Sequence, residues 1–281
     1  MSSPHSLVES LRYFKDRRLL SIFCFGIASG FPWVLIGSAM TGWLKDEGLS
    51  RSSIGLFGLI FATYSINFLW SPLADRVKIP LITAKLGLRR SWILTTQIVI
   101  CLCALKLSTL DASSQLNLMA LFGLFIALSG ATQDIAVDAF RIDTLSNGDN
   151  ELMAAGSAMA TAGWWTGYAG LGSIPFILVS SPNWQWPEVF VVLAIIMAAL
   201  MVTAFVVNEP VSTREEILKN IEQNYLKVLP LFSMRCIGII IMLPLTMLSV
   251  VYANIGYPGW PSQLIPESLR FTAISIFIVF L

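Results

Sequence analysis

Seven apolar runs, each long enough to cross a lipid bilayer, constrain what this chain can fold into. The runs cover about residues 19–43, 53–73, 92–110, 116–140, 152–179, 187–207 and 230–253. A helix needs about 20 apolar residues to cross the hydrocarbon core of a membrane. Of the 281 residues, 56% are hydrophobic and 12% are charged, whereas about a quarter of a soluble domain is charged. The sequence therefore predicts an all-α protein that crosses a membrane several times.

The basic residues near these runs lie mostly on one side of the predicted membrane. They are Arg12, Lys15, Arg17, Arg18, Arg76, Lys78, Lys85, Arg89, Arg90, Arg141, Arg214, Lys219 and Lys227. The loops on the other side contribute Lys45 and Arg51, with Lys106 near the end of a run. Because lysine and arginine are retained on the cytoplasmic side, we expect a cytoplasmic N-terminus.

The spacing of runs and polar segments predicts four parts. They are a cytoplasmic tail (1–18), a six-helix bundle (19–207), a cytoplasmic linker (208–229) and an incomplete second bundle (230–281). The last apolar segment, 271–281, makes about 16 Å of helix, roughly half the hydrocarbon thickness. The chain is therefore expected to end partway through an eighth span. Six spans, a linker and further spans resemble a major-facilitator transporter, in which two six-helix bundles face each other across a midplane site.

The cytoplasmic end of the fourth run carries an unusual concentration of polar residues. Asp134, Asp138 and Arg141 are spaced four and three residues apart, so they share one face of a helix, whereas Asp143 falls on another face. Arg141 can pair with Asp138, which leaves the deeper Asp134 without a local partner. Charged residues in membrane spans are costly and usually functional. We hypothesise that Asp134 binds a coupling proton and that Asp138 and Arg141 form a cytoplasmic gate.

The loop between the second and third runs also pairs acid with base. Asp75 ends one predicted helix, and Arg89 and Arg90 begin the next. An arginine here can pair with acids beneath the fourth run and latch the helices together. One alternative is ordinary anchoring by positive charge. Another is that the polar residues of the fourth run belong to this latch and have no separate role.

Five side chains are candidates for lining a substrate cavity. They are Tyr64, Asn67, Gln133, Trp164 and Trp165. Asn67 is too polar to face lipid, so it either bonds a neighbouring helix or meets substrate. The two tryptophans can stack on sugar rings, although packing is the alternative role for them.

Small residues in the first and fifth runs predict close helix packing. Gly26 and Gly30 are four residues apart, a spacing that lets helix backbones approach each other. Pro32 follows and favours a kink. The fifth run is also rich in glycine, which makes it thin.

Three motifs resemble those of the AmpG-type muropeptide permeases of the major facilitator superfamily. They read FLWSPLADR (68–76), LRRSWILTTQ (88–97) and SGATQDIAVDAFRIDTL (129–145). The resemblance covers about residues 19–210, and the eukaryotic acetyl-CoA transporters are more distant relatives. It implies a secondary active transporter of the bacterial inner membrane that imports anhydromuramyl peptides, or a related polar solute, with protons by alternating access. The chain departs from the family pattern at Leu88 and Trp165, where the family has basic residues.

Other function classes find less support in the sequence. The single histidine, His5, lies in the tail, and the four cysteines lack metal-ligand spacing, so we expect no metal, no cofactor and no enzyme activity. No basic stripe suggests nucleic-acid binding. The expected partners are a small-molecule substrate, protons and the lipid bilayer. A homodimer could rebuild two bundles, but no sequence feature supports it. A truncated, non-transporting remnant or a regulatory membrane protein is the alternative, and a membrane enzyme is less favoured.

Overall fold

The computed structural model describes residues 16–146 and 150–210. Within these ranges the secondary structure is helical and contains no strand, as predicted. The helices are α1 (Arg17–Trp33), α2 (Met40–Asp46), α3 (Arg51–Phe57), α4 (Ala62–Ser65), α5 (Ser71–Arg76), α6 (Thr83–Leu86), α7 (Leu88–Leu107), α8 (Leu116–Leu145), α9 (Asn150–Trp165), α10 (Ile174–Val179) and α11 (Trp186–Val206). The second bundle (230–281), nearly all of the linker (208–229) and most of the tail (1–18) lie outside the described residues.

Five helical stretches in the described part of the chain are long and apolar enough to cross a membrane. They are Arg17–Asp46, Arg51–Leu69, Leu88–Leu107, Leu116–Leu145 and Trp186–Val206. These stretches coincide with the first, second, third, fourth and sixth predicted runs. The chain is therefore a multi-pass membrane protein.

The fifth predicted run is helical but not one continuous helix. After α9 the backbone widens into a π-helical segment, Thr166–Gly170, and then tightens through Leu171–Ser173 before α10 begins. Glycines and a proline in this stretch explain the change, because glycine adds no side-chain support and Pro175 has no N–H to donate to an earlier turn. The first run shows a similar change, since Pro32 precedes a π-helical segment at Val34–Ala39. The helix thus widens locally just after Pro32, the residue at which a kink was predicted.

The helix termini carry recognisable caps. Asp16 accepts a hydrogen bond from the backbone N–H of Arg18 at 2.9 Å, which starts α1. At the other end of the bundle, Gln185 and Glu188 form a reciprocal capping box that starts α11. The indole N–H of Trp186 also donates to Asp46 at 2.8 Å, which ties the start of α11 to the end of α2.

Helix α1 lies at the centre of the described bundle. It packs against α8, α9 and α11, while α7 packs against both α8 and α11. Phe25 of α1 meets Phe140 of α8 edge to face, with ring centroids 4.9 Å apart. Towards the other end, Trp43 packs on Phe190 of α11 at 5.5 Å. This arrangement brings the polar end of α8 beside α1 and α9.

Glycines allow α1 and α9 to touch backbone to backbone, as predicted for Gly26 and Gly30. A Cβ at Gly26 would lie 2.7 Å from a carbonyl oxygen of α9, and one at Gly30 would overlap the carbonyl oxygen of Trp164. The contact is reciprocal, because Cβ atoms at Gly163 and Gly167 would overlap carbonyl oxygens of α1. No larger residue fits at these positions without separating the two helices.

Gly30→Ala is therefore expected to destabilise the protein by about 1–3 kcal/mol, the usual cost of overpacking. Gly55→Ala is the matched control, because a Cβ at Gly55 meets nothing within 4 Å and alanine favours a helix by up to about 1 kcal/mol. Thermal unfolding in detergent, followed by circular dichroism, measures both variants. Equal melting temperatures for the two would contradict the close contact.

Arg89 forms a charged latch at the predicted cytoplasmic end of the bundle. Its side chain is 5% exposed; Nη1 lies 2.6 Å from Oδ1 of Asp75, and Nε lies 3.0 Å from Oδ2 of Asp143. Arg89 was expected to pair with an acid beneath the fourth span, and this acid is Asp143; Asp75 is the second partner of Arg89. The alternative that placed Asp134 and Asp138 in this latch is wrong. Asp143 lies about 13 Å beyond Asp134 along α8, and five residues, or about 140° around the helix, from Asp138.

Arg90 caps the end of α11, and Glu209 caps the start of α7. Nε of Arg90 donates to the carbonyl oxygen of Ala204 at 2.8 Å, at the end of α11. The Glu209 carboxylate, just beyond α11, accepts the backbone N–H groups of Arg89 at 2.7 Å and Arg90 at 3.1 Å. Both contacts complement the helix dipoles. Of the two arginines that were expected to pair with an acid of the fourth span, Arg89 does so, whereas the end of α11 binds the guanidinium of Arg90.

Gly87 makes room for this cap. Its φ angle of +89° lies in the left-handed region, and a Cβ there would lie 2.5 Å from the carboxyl carbon of Glu209. Burial raises the pKa of Glu209, while the hydrogen bonds from Arg89 and Arg90 act in the opposite direction. The carboxylate thus sits in a fitted recess at the start of α7.

Arg89→Ala leaves Asp143 buried without its base, so we expect a loss of about 3–5 kcal/mol of unfolding free energy. Adding Asp143→Ala is expected to restore part of that loss, because the two residues form one network. Lys85→Ala, which removes an exposed charge from the same loop, serves as the control. Unfolding titrations in mixed micelles give the three values. A double variant that is less stable than Arg89→Ala alone would count against the latch.

Glu209→Ala is expected to cost about 1 kcal/mol, the usual effect of losing a helix cap. Glu209→Gln keeps one oxygen that can accept a backbone N–H, so its loss is expected to be smaller. Melting temperatures of the two variants test the capping role. If glutamine and alanine are equally destabilising, the carboxylate does not act as a hydrogen-bond acceptor for α7.

Candidate functional site

A polar cleft opens between α1, α8 and α9, with a volume of about 340 Å³. Its lining residues are Gly26, Ser29, Asp134, Val137, Asp138, Arg141, Ser157, Ala160, Thr161 and Trp164. Four residues predicted from the sequence, Asp134, Asp138, Arg141 and Trp164, therefore meet in one cavity.

Helix periodicity explains why these residues converge. Asp134, Asp138 and Arg141 follow one face of α8, and Ser157, Thr161 and Trp164 follow one face of α9 at the same three- and four-residue spacing. The glycine contact draws α9 against α1, and Ser29 lies between the glycines of α1 that make it. The cleft thus combines one face from each helix.

Asp134 is held by a hydroxyl group. The Ser29 hydroxyl donates a hydrogen bond to Oδ1 of Asp134 across the two helices. Among the described residues, no lysine or arginine forms an ion pair with Asp134. The sequence analysis expected Asp134 to lack a local partner and did not predict its contact with Ser29. The feature of the sequence that could have indicated this contact is a small polar residue within the glycine-rich first span.

Asp138 and Arg141 form the predicted pair at the cleft mouth. Nη2 of Arg141 lies 3.1 Å from Oδ1 of Asp138, and Nη1 donates to the Ser157 hydroxyl at 2.6 Å. The Asp138 side chain is 66% exposed. An exposed pair of this kind contributes about 0–1 kcal/mol, so it can open at little cost. Ser157, which joins α9 to the pair, was not predicted.

An aromatic cluster continues from Trp164 towards the middle of the bundle. The Trp164 ring lies 5.3 Å from Tyr168 and 5.8 Å from Trp33, between ring centroids. Trp33 in turn packs on Phe61 at 4.4 Å and on Tyr64 at 4.8 Å. Tyr64 and Trp164 were predicted as cavity residues, whereas Trp33, Phe61 and Tyr168 were not. Their aromatic character alone gave no signal, because such residues usually serve packing.

Several buried polar atoms lack hydrogen-bond partners within the described part of the chain. They are the Tyr64 hydroxyl, the Trp33 indole nitrogen and both amide atoms of Gln133. A buried polar atom without a partner costs about 1–3 kcal/mol. The Tyr64 hydroxyl lies against Gly130, one helical turn before Asp134, since a Cβ there would overlap it. These atoms are available to a bound polar molecule or to water.

The remaining predicted site residues lie elsewhere. Asn67 is half-buried in the short turn Asn67–Leu69 and does not line the cleft. Trp165 is half-exposed, with its ring edge-on to Trp164 at 5.2 Å. Asp75 and Arg89 form the latch, and Arg90 caps α11, so the structure separates these three from the cleft.

The described residues offer no metal site. Within 16–146 and 150–210, histidine, cysteine, aspartate and glutamate side chains do not gather in groups of three that could hold a metal ion. Three cysteines of this part, Cys24, Cys101 and Cys103, are free thiols. The chemistry that the cleft can provide is thus proton exchange, hydrogen bonding and aromatic stacking.

Comparison with known proteins identifies relatives of this chain. The chain is 36% identical to AmpG 4 of Rickettsia felis, named as a transporter, over 210 residues, which is 73% of the chain and 49% of the relative. It is 31% identical to the anhydromuropeptide permease of Escherichia coli K12 over 206 residues, which is 73% of the chain and 40% of the relative. The chain spans about half the length of the curated relatives it matches.

The family assignment rests on a further match. The family described as acetyl-coenzyme A transporter 1 matches residues 20–185, more than half of the chain and all of the helices that line the cleft. Both the family and the named relatives are transporters or permeases rather than enzymes. The chain therefore belongs to the acetyl-coenzyme A transporter family, together with AmpG-type permeases.

Proposed function

We propose that residues 19–207 form the first bundle of a proton-coupled secondary transporter of the bacterial inner membrane. The transporter imports cell-wall muropeptides, the anhydromuramyl peptides, or a related polar solute by alternating access. The observation that carries this proposal is the polar cleft of α1, α8 and α9, in which Asp134, without a basic partner among the described residues, lines the same cavity as Trp164. The name of the Escherichia coli relative supports the class of solute.

Asp134 is the proposed proton carrier. Its contact with Ser29 suits this role, because a hydroxyl can donate to a carboxylate and can also accept from a carboxylic acid. The hydrogen bond therefore survives both protonation states. An arginine or lysine in contact with Asp134 would hold it in the charged form, and no described base provides such a contact.

The aromatic cluster and its polar atoms are the proposed solute surface. Trp164 borders the cleft and joins the cluster of Trp33 and Tyr64, whose ring faces can stack on sugar rings. The Tyr64 hydroxyl and the Gln133 amide provide hydrogen-bonding groups without partners among the described residues. An amphipathic solute that carries both sugar and amide groups matches this combination.

The Asp138–Arg141 pair is the proposed cytoplasmic gate. It links α8 to α9 through Ser157 at the cleft mouth. Because the Asp138 side chain is exposed, little free energy is needed to break the ion pair. The Arg89 latch stays closed through the cycle because it is buried. Opening of the gate then changes access to Asp134 without separating α7 from α8.

Asp134→Asn is expected to reduce uptake driven by a proton gradient about tenfold or more, because the amide cannot exchange a proton. The assay uses labelled anhydromuropeptide and vesicles that contain the full chain, with and without an imposed pH gradient. Asp111→Asn is the control; Asp111 is exposed, and hydrogen bonds from Ser114 and Ser113 lower its pKa.

Two outcomes would contradict different parts of the proposal. Full gradient-driven uptake by Asp134→Asn would remove the coupling role from this acid. No uptake by the wild-type chain would favour the alternative, a non-transporting remnant or a regulatory protein. Uptake that ignores the pH gradient would leave transport in place and exclude proton coupling.

A further inference from the structure

A second groove lies between α5, α7 and α8, with a volume of about 260 Å³. Most of its lining is apolar and comes from Trp70, Leu73, Ala74, Trp92, Val99 and Leu128. The hydroxyls of Thr96 and Thr132 donate to carbonyls of their own helices, so they add little polarity. This groove differs in chemistry from the polar cleft.

The groove and the polar cleft lie on different sides of α8. Leu128 and Thr132 line the groove, whereas Asp134 and Asp138 line the cleft. At 3.6 residues per turn, Thr132 and Asp134 point about 160° apart around the helix. The groove is therefore separate from the proposed transport site.

The faces that line the groove continue into exposed apolar surface. Leu102, two turns after Thr95 on α7, is 61% exposed, and Phe125, two turns before Thr132 on α8, is 44% exposed. In a membrane-spanning bundle, such exposed apolar residues face lipid. The groove thus opens towards the hydrocarbon.

The groove extends into one leaflet. Its α7 residues run from Trp92 to Val99, which lie about 10 Å apart along the helix. Half of the hydrocarbon core is about 15 Å thick. An acyl chain that enters from the interface near Trp92 can follow the groove through about two thirds of that leaflet.

Basic side chains surround the interfacial end of the groove. Arg76 ends α5, two residues after the groove residue Ala74, and it is exposed together with Lys78 and Lys85. The indole N–H of Trp92 donates to the carbonyl oxygen of Val77 at 2.9 Å, which fixes the loop beside the groove. The nearest acid in sequence, Asp75, is paired with Arg89 of the latch. The loop thus presents net positive charge.

Leu81 gives a second, independent indication. It has a φ angle of +68°, and it is 86% exposed. This left-handed conformation is unfavourable for leucine by about 1–2 kcal/mol. The loop therefore holds an apolar side chain outward, between Lys78 and Lys85 in the sequence.

We propose that this groove and loop bind an anionic phospholipid. One acyl chain occupies the groove, Arg76, Lys78 and Lys85 contact the phosphate, and Leu81 enters the headgroup interface. Apolar lining, depth, charge and the outward leucine all point to the same ligand. The proposal does not depend on the proposed transport function.

Native mass spectrometry of the purified full chain tests the headgroup preference. The chain is incubated with equal amounts of phosphatidylglycerol and phosphatidylcholine that carry identical acyl chains. We expect phosphatidylglycerol to be retained about tenfold more, because each basic side chain near an anionic surface contributes appreciably. Arg76→Gln with Lys78→Gln is expected to abolish this preference. Lys45→Gln with Arg51→Gln, which removes two exposed charges at the other end of the bundle, is expected to preserve it.

Tryptophan fluorescence tests the groove itself. Phosphatidylglycerol with brominated acyl chains is expected to quench the wild type more than a Trp70→Phe, Trp92→Phe variant. Thr95→Leu, which fills the groove with an apolar side chain, is expected to reduce retention of both lipids without changing the choice of headgroup.

Three results would overturn the proposal. Equal retention of the two lipids by the wild type excludes a selective site. If the Arg76, Lys78 variant and the Lys45, Arg51 variant lose the preference for phosphatidylglycerol equally, the preference reflects the overall charge of the chain and not this site. If the two tryptophan substitutions leave the quenching unchanged, the acyl chain does not occupy the groove. This test is independent of the charge variants, so it still applies if those variants fail to fold.

Discussion

The buried guanidinium of Arg89, with Asp75 on one side and Asp143 on the other, joins α5, α7 and α8. Since a buried charge is costly without partners, these helix ends cannot separate while both acids are charged. The neighbouring Arg90 and Glu209 add α11 to the same end of the bundle. Contacts of these side chains thus join four helices at the predicted cytoplasmic end of the bundle.

The Arg89 latch also determines which acids of α8 can line the cleft. Because Asp143 satisfies Arg89, Asp138 pairs with Arg141 of its own helix and Asp134 is held by a hydroxyl of α1. Helix α8 therefore has a polar side towards α1 and α9 and an apolar side towards the groove with α5 and α7. The polar, water-accessible side of α8 is thus separate from its lipid-facing side.

Local patterns in the sequence predict local structure well. Apolar runs predicted the five spanning helices, glycine spacing predicted close packing of the first span, and three-residue spacing predicted the pair of Asp138 with Arg141. Contacts between distant segments were harder to predict, because helix periodicity does not set the register between helices. Ser29 lies 105 residues from Asp134, and Glu209 lies 120 residues from Arg89. The fifth run reads as one span by hydropathy, but its glycines and proline break the helix.

Thiol accessibility tests the two sides of α8 most directly. In a variant without the four native cysteines, Thr161→Cys places a thiol in the polar cleft and Thr95→Cys places one in the groove. The full chain in membranes is treated with a water-soluble maleimide, and the labelled fraction is followed over time. We expect rapid labelling at position 161, in the polar cleft, and little labelling at position 95, in the apolar groove. Equal labelling at both positions, or labelling at position 95 alone, would contradict the separation of the two sides.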